Sequence, residues 1–435
     1  MRRVVIDTFG PIEHVDMELD GSLDVIIGPQ ASGKSTLAKV IFFCRKVRDY
    51  LLEYSEKVMI SNEGRPGIKG FCKLLNRYFM GYFGTTKHMN GFEITYYYDE
   101  DRYITIRLGK DGFTRFSFSN ALVTDINGIL KEVDVMHYDE SNFSDDSYFE
   151  RQKYVNNILK GRICRIFSDY YILKYIPAGR NIFAVIPNLV PSFASGSGYV
   201  DIHQVDLLTQ EFIQEINSMR FRFGSRLEDI MQVYLKTENT KARKEVLDKA
   251  CSLIRSILKA DYVSDSEGEK LYYDSDRWVK LMFASSGQQE ILWALNMVFL
   301  LLLKHEKVFL VFEEPESHLF PMAQKTVLEL LALLINANDS EVFVTTHSPY
   351  IMTSANLLIY SSEVEGNDDG NSIVDRYFRL PAASVKSFYI DGTLENLTSE
   401  ENSLLETSFI DGVSEEINEG IERLVELKIA REVNV

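Results

Sequence analysis

The sequence predicts an α/β fold: a mixed sheet entered through a phosphate-binding loop, an antiparallel β subdomain and a compact helical insertion. Three observations predict it. Apolar runs of strand length end at Gly28, at Glu313 and at His347, the pattern of strands buried on both faces. Residues 91 to 119 alternate apolar and polar with turns between, as antiparallel strands do. Residues 147 to 175 and 201 to 260 instead carry helical periodicity. The expected organisation is an N-terminal lobe over 1–145, a helical insertion over 146–265 and a C-terminal lobe over 266–435.

Residues 1 to 27 read as two or three short strands, with Gly10-Pro11 and Asp20-Gly21 as turns. Gly28, Gly33, Lys34 and Ser35 then fill the pattern G-x-x-x-x-G-K-[ST], with a strand before and a helix after. Such a loop turns its backbone N–H groups onto phosphates. Gly28, Pro29, Gln30, Ala31, Ser32, Gly33, Lys34, Ser35 and Thr36 are therefore the expected nucleotide contacts. Lys34 brings positive charge to the β- and γ-phosphates, and Ser35 can hold Mg²⁺.

The helix after the loop runs to about Tyr54, and Phe71 to Phe83 form an aromatic amphipathic helix that reads as packed core. Three strands of a meander follow, over 91 to 119; Tyr96 to Tyr98 read as sheet packing, with stacking on adenine as the alternative. The two helical blocks are separated by a strand-like Tyr175 to Ile186 and a Gly/Ser-rich loop, Ser192 to Gly198. Arg220, Arg222, Arg226, Lys236, Lys241, Arg243 and Lys244 make the second block the most basic part of the chain. They read as a solvated face or as a platform for a protein or nucleic-acid partner.

A hairpin over Lys270 to Phe283 leads to Ala284 to Glu290, which opens an apolar helix to about Leu303. Its Ser285-Ser286-Gly287-Gln288 has two readings, a ligand-binding helix start or an ordinary capping turn. The strand from Lys307 ends in Glu313 and Glu314, carboxylates delivered to the crevice end of an α/β sheet. The strand from Val342 delivers His347 in the same way, as a ligand contact or a structural histidine. Strands are expected near Leu357 to Tyr360 and Ile373 to Leu380, around an acidic turn, and an acidic amphipathic helix over Glu415 to Glu432.

The four stretches, in this order, resemble the ABC-type ATPases related to chromosome-maintenance (SMC), RecF and overcoming-lysogenization-defect (OLD) proteins. The resemblance is carried by the phosphate loop, Ser285 to Gln288, Glu313 to Leu319 (Glu-Glu-Pro-Glu-Ser-His-Leu) and His347, with further likeness at Phe9 to Ile12 and Tyr175 to Arg180. It covers about 1–40, 172–183 and 278–361. It implies an ABC-type ATPase head that binds ATP and Mg²⁺. In that family Ser35 and Glu313 hold the cation, Glu314 polarises the attacking water, His347 touches the γ-phosphate, and Ser285, Ser286, Gly287 and Gln288 reach a nucleotide on the neighbouring protomer. The implied assembly is a homodimer or higher homo-oligomer with ATP between the heads. Glu313 stands where the family usually has Asp, and Ser286 where it has Gly. The glutamine that senses the γ-phosphate has no assigned position; Gln152 and Gln204 are candidates by place alone.

Within the family, the subgroup most alike is the soluble prokaryotic ATPases with Glu-Glu-Pro-Glu-x-His-Leu. The first functional expectation is a regulatory ATPase resembling the subunits of anti-phage defence systems (Septu, retron-linked and PARIS), which are similar in length, lack a long coiled coil and control a separately encoded effector nuclease. The alternative is a RecF- or SMC-like repair ATPase that clamps DNA directly. A formal charge of −17 weighs against a general DNA-coating protein, because phosphate neutralisation supplies most non-specific affinity. Cys44, Cys72, Cys164 and Cys251 have no zinc-site spacing and read as reduced thiols. No membrane span is expected, since Ile291 to Leu303 is too short, and a cytoplasmic protein is expected.

Overall fold

The computed structural model describes residues 2–60, 67–135, 153–180, 206–236, 241–365, 372–398, 404–406 and 418–425. Strands β1 (Arg3–Phe9), β2 (Ile12–Glu18) and β3 (Leu23–Ile27) lead to helices α1 (Lys34–Ile60) and α2 (Ile68–Phe83). The meander β4 (Glu93–Tyr97), β5 (Tyr103–Leu108) and β6 (Thr114–Phe118) follows, then α3 (Asn120–Val135). A π-helical turn over Val155–Leu159 continues into α4 (Lys160–Ile166), and β7 (Ile172–Ile176) comes next. Helices α5 (Leu207–Arg220), α6 (Leu227–Leu235) and α7 (Lys241–Leu258) precede a small sheet of β8 (Asp261–Asp265), β9 (Gly268–Tyr272) and β10 (Trp278–Lys280). The last part is α8 (Ser286–Lys304), β11 (Val308–Glu313), α9 (Pro321–Asn338), β12 (Glu341–Thr346), α10 (Pro349–Val364), β13 (Val385–Asp391) and β14 (Thr393–Asn396).

Eleven of these strands make one sheet in the order β6-β5-β4-β1-β2-β14-β13-β3-β12-β11-β7. From β13 to β7 neighbours are parallel; from β6 to β2 they are antiparallel. The two wings meet at β14, which is antiparallel to β13 and touches β2 through Thr393 opposite His14. Both faces of the parallel wing are covered, which explains the unbroken apolar runs. Val25 and Ile27 of β3 point into a core with α8 and α9, while Ile26 points into a second core with α1 and the aromatics of α2. Tyr96 and Tyr98 are buried in that second core, so the sheet-packing reading holds for them.

Strand β7 lies inside the stretch expected as a helical insertion, yet it is the edge strand of the main sheet, pairing with β11. Helix α8 is long and apolar enough to cross a membrane by composition, but nearly all of it is buried in the first core. Among the basic residues of the second block, Arg220 lies 3.4 Å from Glu269 in a largely buried pair and over the Trp293 ring, so it belongs to the packing rather than to a solvated face, while the half-exposed Arg226 lies 3.5 Å from the buried Asp261. Gln152, Gln204, the loop 192–198 and most of the tail lie outside the described residues; 418–425 are helical and exposed.

Two expectations after His347 are corrected. Leu357 to Tyr360 are the last turns of α10, not a strand: Ser348 caps the helix, Pro349 starts it, and Ile351, Met352, Ala355, Leu358 and Ile359 bury one helical stripe. Ile373 to Leu380 hold a single 3-10 turn, Arg376–Phe378, which the Asp375 side chain caps. The strand of this region is β13, whose Val385, Ser387, Phe388 and Ile390 are buried.

Candidate nucleotide-binding site

The site lies at the C-terminal ends of β3, β11 and β12, which are neighbours in the parallel wing. Strand β3 delivers Gly28, β11 delivers Glu313, and β12 delivers His347. Gly28 is required by a close approach: a Cβ there would lie 2.1 Å from the carbonyl oxygen of Ile390 in β13. Gly33 has a positive φ of 109°, and its Cβ would meet Ile12 at 2.7 Å. Ala31 also has a positive φ, of 60°. Pro29, Gln30, Ala31 and Ser35 are exposed, Thr36 is half-buried, and the buried Ser32 hydroxyl has no hydrogen-bond partner. Helix α1 begins at Lys34, so Ser35 stands at an N-terminus where unpaired amides favour anions.

Lys34 Nζ donates to the carbonyls of Gly28 (2.8 Å) and Pro29 (2.6 Å) and stands 3.5 Å from His347 Nδ1. An ammonium has no lone pair, so this contact asks Nδ1 to accept and leaves the ring proton on Nε2. Nε2 faces Glu314 Oε1 at 3.5 Å. Burial lowers the Lys34 ammonium below its usual value, with Glu314 and Glu316 opposing that shift. The structure thus brings Lys34, His347 and Glu314 into one chain of contacts.

Glu314 has a φ of 45°, a left-handed conformation that costs a side-chain-bearing residue about 1–2 kcal/mol. Its amide donates to the Thr345 carbonyl at 2.8 Å and its Oε2 accepts from Ser317 Oγ at 3.2 Å. Glu313, one residue earlier, is buried; Oε2 accepts from the Ala178 amide at 3.0 Å while Oε1 has no hydrogen-bond partner. A buried, unpartnered carboxylate oxygen beside a phosphate loop fits a hard divalent cation, which ordinarily takes one or two carboxylates plus phosphate oxygens. Glu313 and Ser35 are the residues that would hold it.

Two residues that motif reading left without a role belong to this cluster. Glu316 Oε1 accepts from the His347 amide at 2.6 Å, and burial raises its carboxyl above the usual range. Arg180, almost wholly buried, donates to the carbonyls of Glu313 (2.5 Å) and Glu314 (2.9 Å). Glu316 is visible as the last acid of Glu-Glu-Pro-Glu. Arg180 carries no local signal beyond its resemblance motif, since its role depends on β7 lying next to β11.

Ser285 to Gln288 make their contacts elsewhere. Ser285 caps α8 in a full capping box with Gln288, whose Nε2 donates to the Leu258 carbonyl at 2.7 Å. Both serines are exposed. Gly287 is buried, and a Cβ on it would lie 2.5 Å from the His318 carbonyl oxygen. Within one chain these residues build a helix start, docked on the turn that follows Glu314.

The AAA ATPase domain family matches residues 201–352, which span α5 to β12 and include Ser285 to Gln288, Glu313, Glu314 and His347. Protein ea59 of Escherichia phage lambda is 32% identical over 90 residues, 21% of this chain and 17% of that protein's length. Two solved structures are similar over 92% of this chain and 98% of theirs. The SMC head bound to the C-winged helix domain of ScpA aligns at 13% identity with a TM-score of 0.42. The SMC head domain from Thermotoga maritima aligns at 11% identity with a TM-score of 0.36. Residues 201–352 are thus similar to an AAA ATPase domain over the part of the chain that carries the strand-end acids and His347, and the phosphate loop lies outside the matched stretch.

Proposed function

We propose that the chain binds and hydrolyses ATP between two copies of itself and thereby regulates a separate effector. The observation that carries the ATPase reading is the contact chain from Lys34 through His347 to Glu314 across neighbouring strand ends. In this reading the loop amides and Lys34 hold the phosphates of ATP. Glu314 orients the attacking water and accepts its proton as the new P–O bond forms and ADP leaves. His347 donates from Nε2 toward the transferring phosphoryl oxygens, and Glu316 keeps the His347 backbone in place. Ser35 and Glu313 would hold Mg²⁺, which when bound would supply positive charge to the phosphate oxygens. Positioning and charge stabilisation supply most of the acceleration in such a transfer.

Ser285 and Gly287 act on the nucleotide of the partner copy. Their support is that Ser285 and Ser286 are exposed at a helix N-terminus, on a different turn from the Lys34 cluster. We assign the effector role to an anti-phage defence complex with a separately encoded nuclease, on the resemblance of this chain to those ATPase subunits in length and in its lack of sustained heptads. The competing reading is direct DNA clamping; the net charge of −17 weighs against it.

Lys34→Ala should abolish ATP binding. Glu314→Gln should keep binding, lower kcat by about 10²-fold or more, and accumulate an ATP-held dimer in native mass measurement. A Glu314→Gln enzyme that turns over at the normal rate refutes the role given to Glu314. Strong stimulation of the wild-type ATPase by DNA would favour the repair reading over the defence one.

A further inference from the structure

Arg180 is only 1% exposed, yet it carries a charge into the floor of the site. Nη1 donates to the carbonyls of Pro177 at 2.8 Å and Glu313 at 2.5 Å, and Nη2 donates to that of Glu314 at 2.9 Å. Its guanidinium lies 5.0 Å from the Phe312 ring centroid. A buried guanidinium persists only when its charge is answered. The answering carboxylate is Glu290, 2% exposed, whose Oε1 lies 3.8 Å from Nη2. Glu290 sits in the second turn of α8, two residues after Gln288, and its Oε2 lies 3.4 Å from His318 Nε2. One side chain therefore joins three elements: the turn after β7, the end of β11 and the start of α8.

We infer that Arg180 is a positioning residue that, through Glu290, locks the Glu314 carboxylate in register with the helix start bearing Ser285 and Gly287. The inference rests on the reading of the site given above. Glu314 holds its left-handed backbone because its amide is taken by Thr345 and its carbonyl by Arg180. The direction of its carboxylate toward His347 follows from that backbone. Helix α8 cannot drift from the same turn, because Gly287 packs on the His318 carbonyl and Glu290 on Arg180 and His318. A displacement of Ser285 on contact with a neighbour's nucleotide is thus transmitted to the chain's own hydrolytic carboxylate. Lysine cannot replace this device, since only a planar fork reaches two carbonyl oxygens with one nitrogen and a third with the other.

The test uses the full-length protein with Arg180→Lys, Glu290→Gln and the double variant. A fluorescent ATP analogue reads affinity, and steady-state hydrolysis reads kcat and KM. Arg180→Lys should leave affinity within about threefold and lower kcat by about tenfold or more, because only the placement of Glu314 is disturbed. Glu290→Gln should lower kcat in the same direction by less. The double variant should be no slower than Arg180→Lys, since both act on one link. Wild-type kcat in both single variants overturns the inference, and so does a fall in affinity as large as the fall in kcat. If Arg180→Lys does not fold, Glu290→Gln decides by the same split, because it leaves all three carbonyl bonds in place. Lys34→Ala separates the two levels. Retained ATP binding in that variant refutes the site itself, whereas lost binding beside unchanged kcat in the Arg180 and Glu290 variants refutes this inference alone.

Discussion

Asp24 is a residue whose cost and purpose can be measured separately. It sits in β3, four residues before Gly28, almost fully buried, and its Oδ1 has no hydrogen-bond partner. Burial first, and then repulsion from Glu341, pushes its carboxyl well above the usual range. The folded protein therefore keeps a proton that the unfolded chain releases above about pH 3.9. Stability from this group is full below that value and declines as pH rises toward the folded pKa. Asp24→Asn cannot ionise, so it should raise Tm, and by more at pH 8 than at pH 5; equal gains at both would contradict the buried-acid explanation. Single residues were legible in the sequence where a local pattern names them: Gly28, Gly33 and Lys34 by their spacing, Glu313 and Glu314 by an apolar run ending in acids. Arg180 and Glu290 were not, because their meeting requires β7, β11 and α8 to be brought together from distant parts of the chain.

Among elements, the start of α8 is the most constrained. Its capping box fixes where the helix begins, and Gly287 fixes how close it comes to the turn at His318. The obstacle to any larger residue is a backbone oxygen, which cannot rotate away. Gly287→Ala should therefore push α8 outward, lower stability by about 1–3 kcal/mol in urea titration and reduce kcat while ATP affinity holds. An alanine variant with wild-type stability and turnover would mean that the helix shifts freely. Elements with a long, clean period were readable in advance: α2, the meander and α8 itself. The region after His347 was not, because Leu357 to Tyr360 is too short an apolar run to tell a strand from a helix by itself. The deciding signals were Ser348 and Pro349, a cap and an N1 proline several residues upstream.

At the scale of the whole molecule, the two ends of the parallel strands have opposite tasks. The C-terminal ends carry the site. The N-terminal ends carry a buried ionic network in which Arg45 and Arg48 meet Asp169, and Arg2 and Arg45 meet Glu341. Burial would raise the Asp169 carboxyl, but its arginine partners win and hold it below the usual range. That stabilisation is present above about pH 3.9 and is lost as pH falls through the lowered pKa. Asp169→Asn should leave two buried guanidinium groups without their shared carboxylate and cost about 3–5 kcal/mol. ATP affinity at low temperature should be unchanged, since the network lies at the far end of the strands from the phosphate loop. A denaturation midpoint equal to that of the wild type would show that the network adds nothing.

The order of the strands also sets a timetable for synthesis. Strand β3 is made early, but both of its neighbours, β12 and β13, are made late. Until then its open edges are exposed to wrong pairings, a hazard for a growing chain. The last strand to arrive beside it, β13, also supplies the Ile390 carbonyl on which Gly28 rests. A nascent chain that stops short of Ile390 has every residue of the nucleotide pattern and still lacks the floor beneath it. The phosphate loop therefore has its floor only once β13 has been made and has paired with β3, long after the loop itself leaves the ribosome.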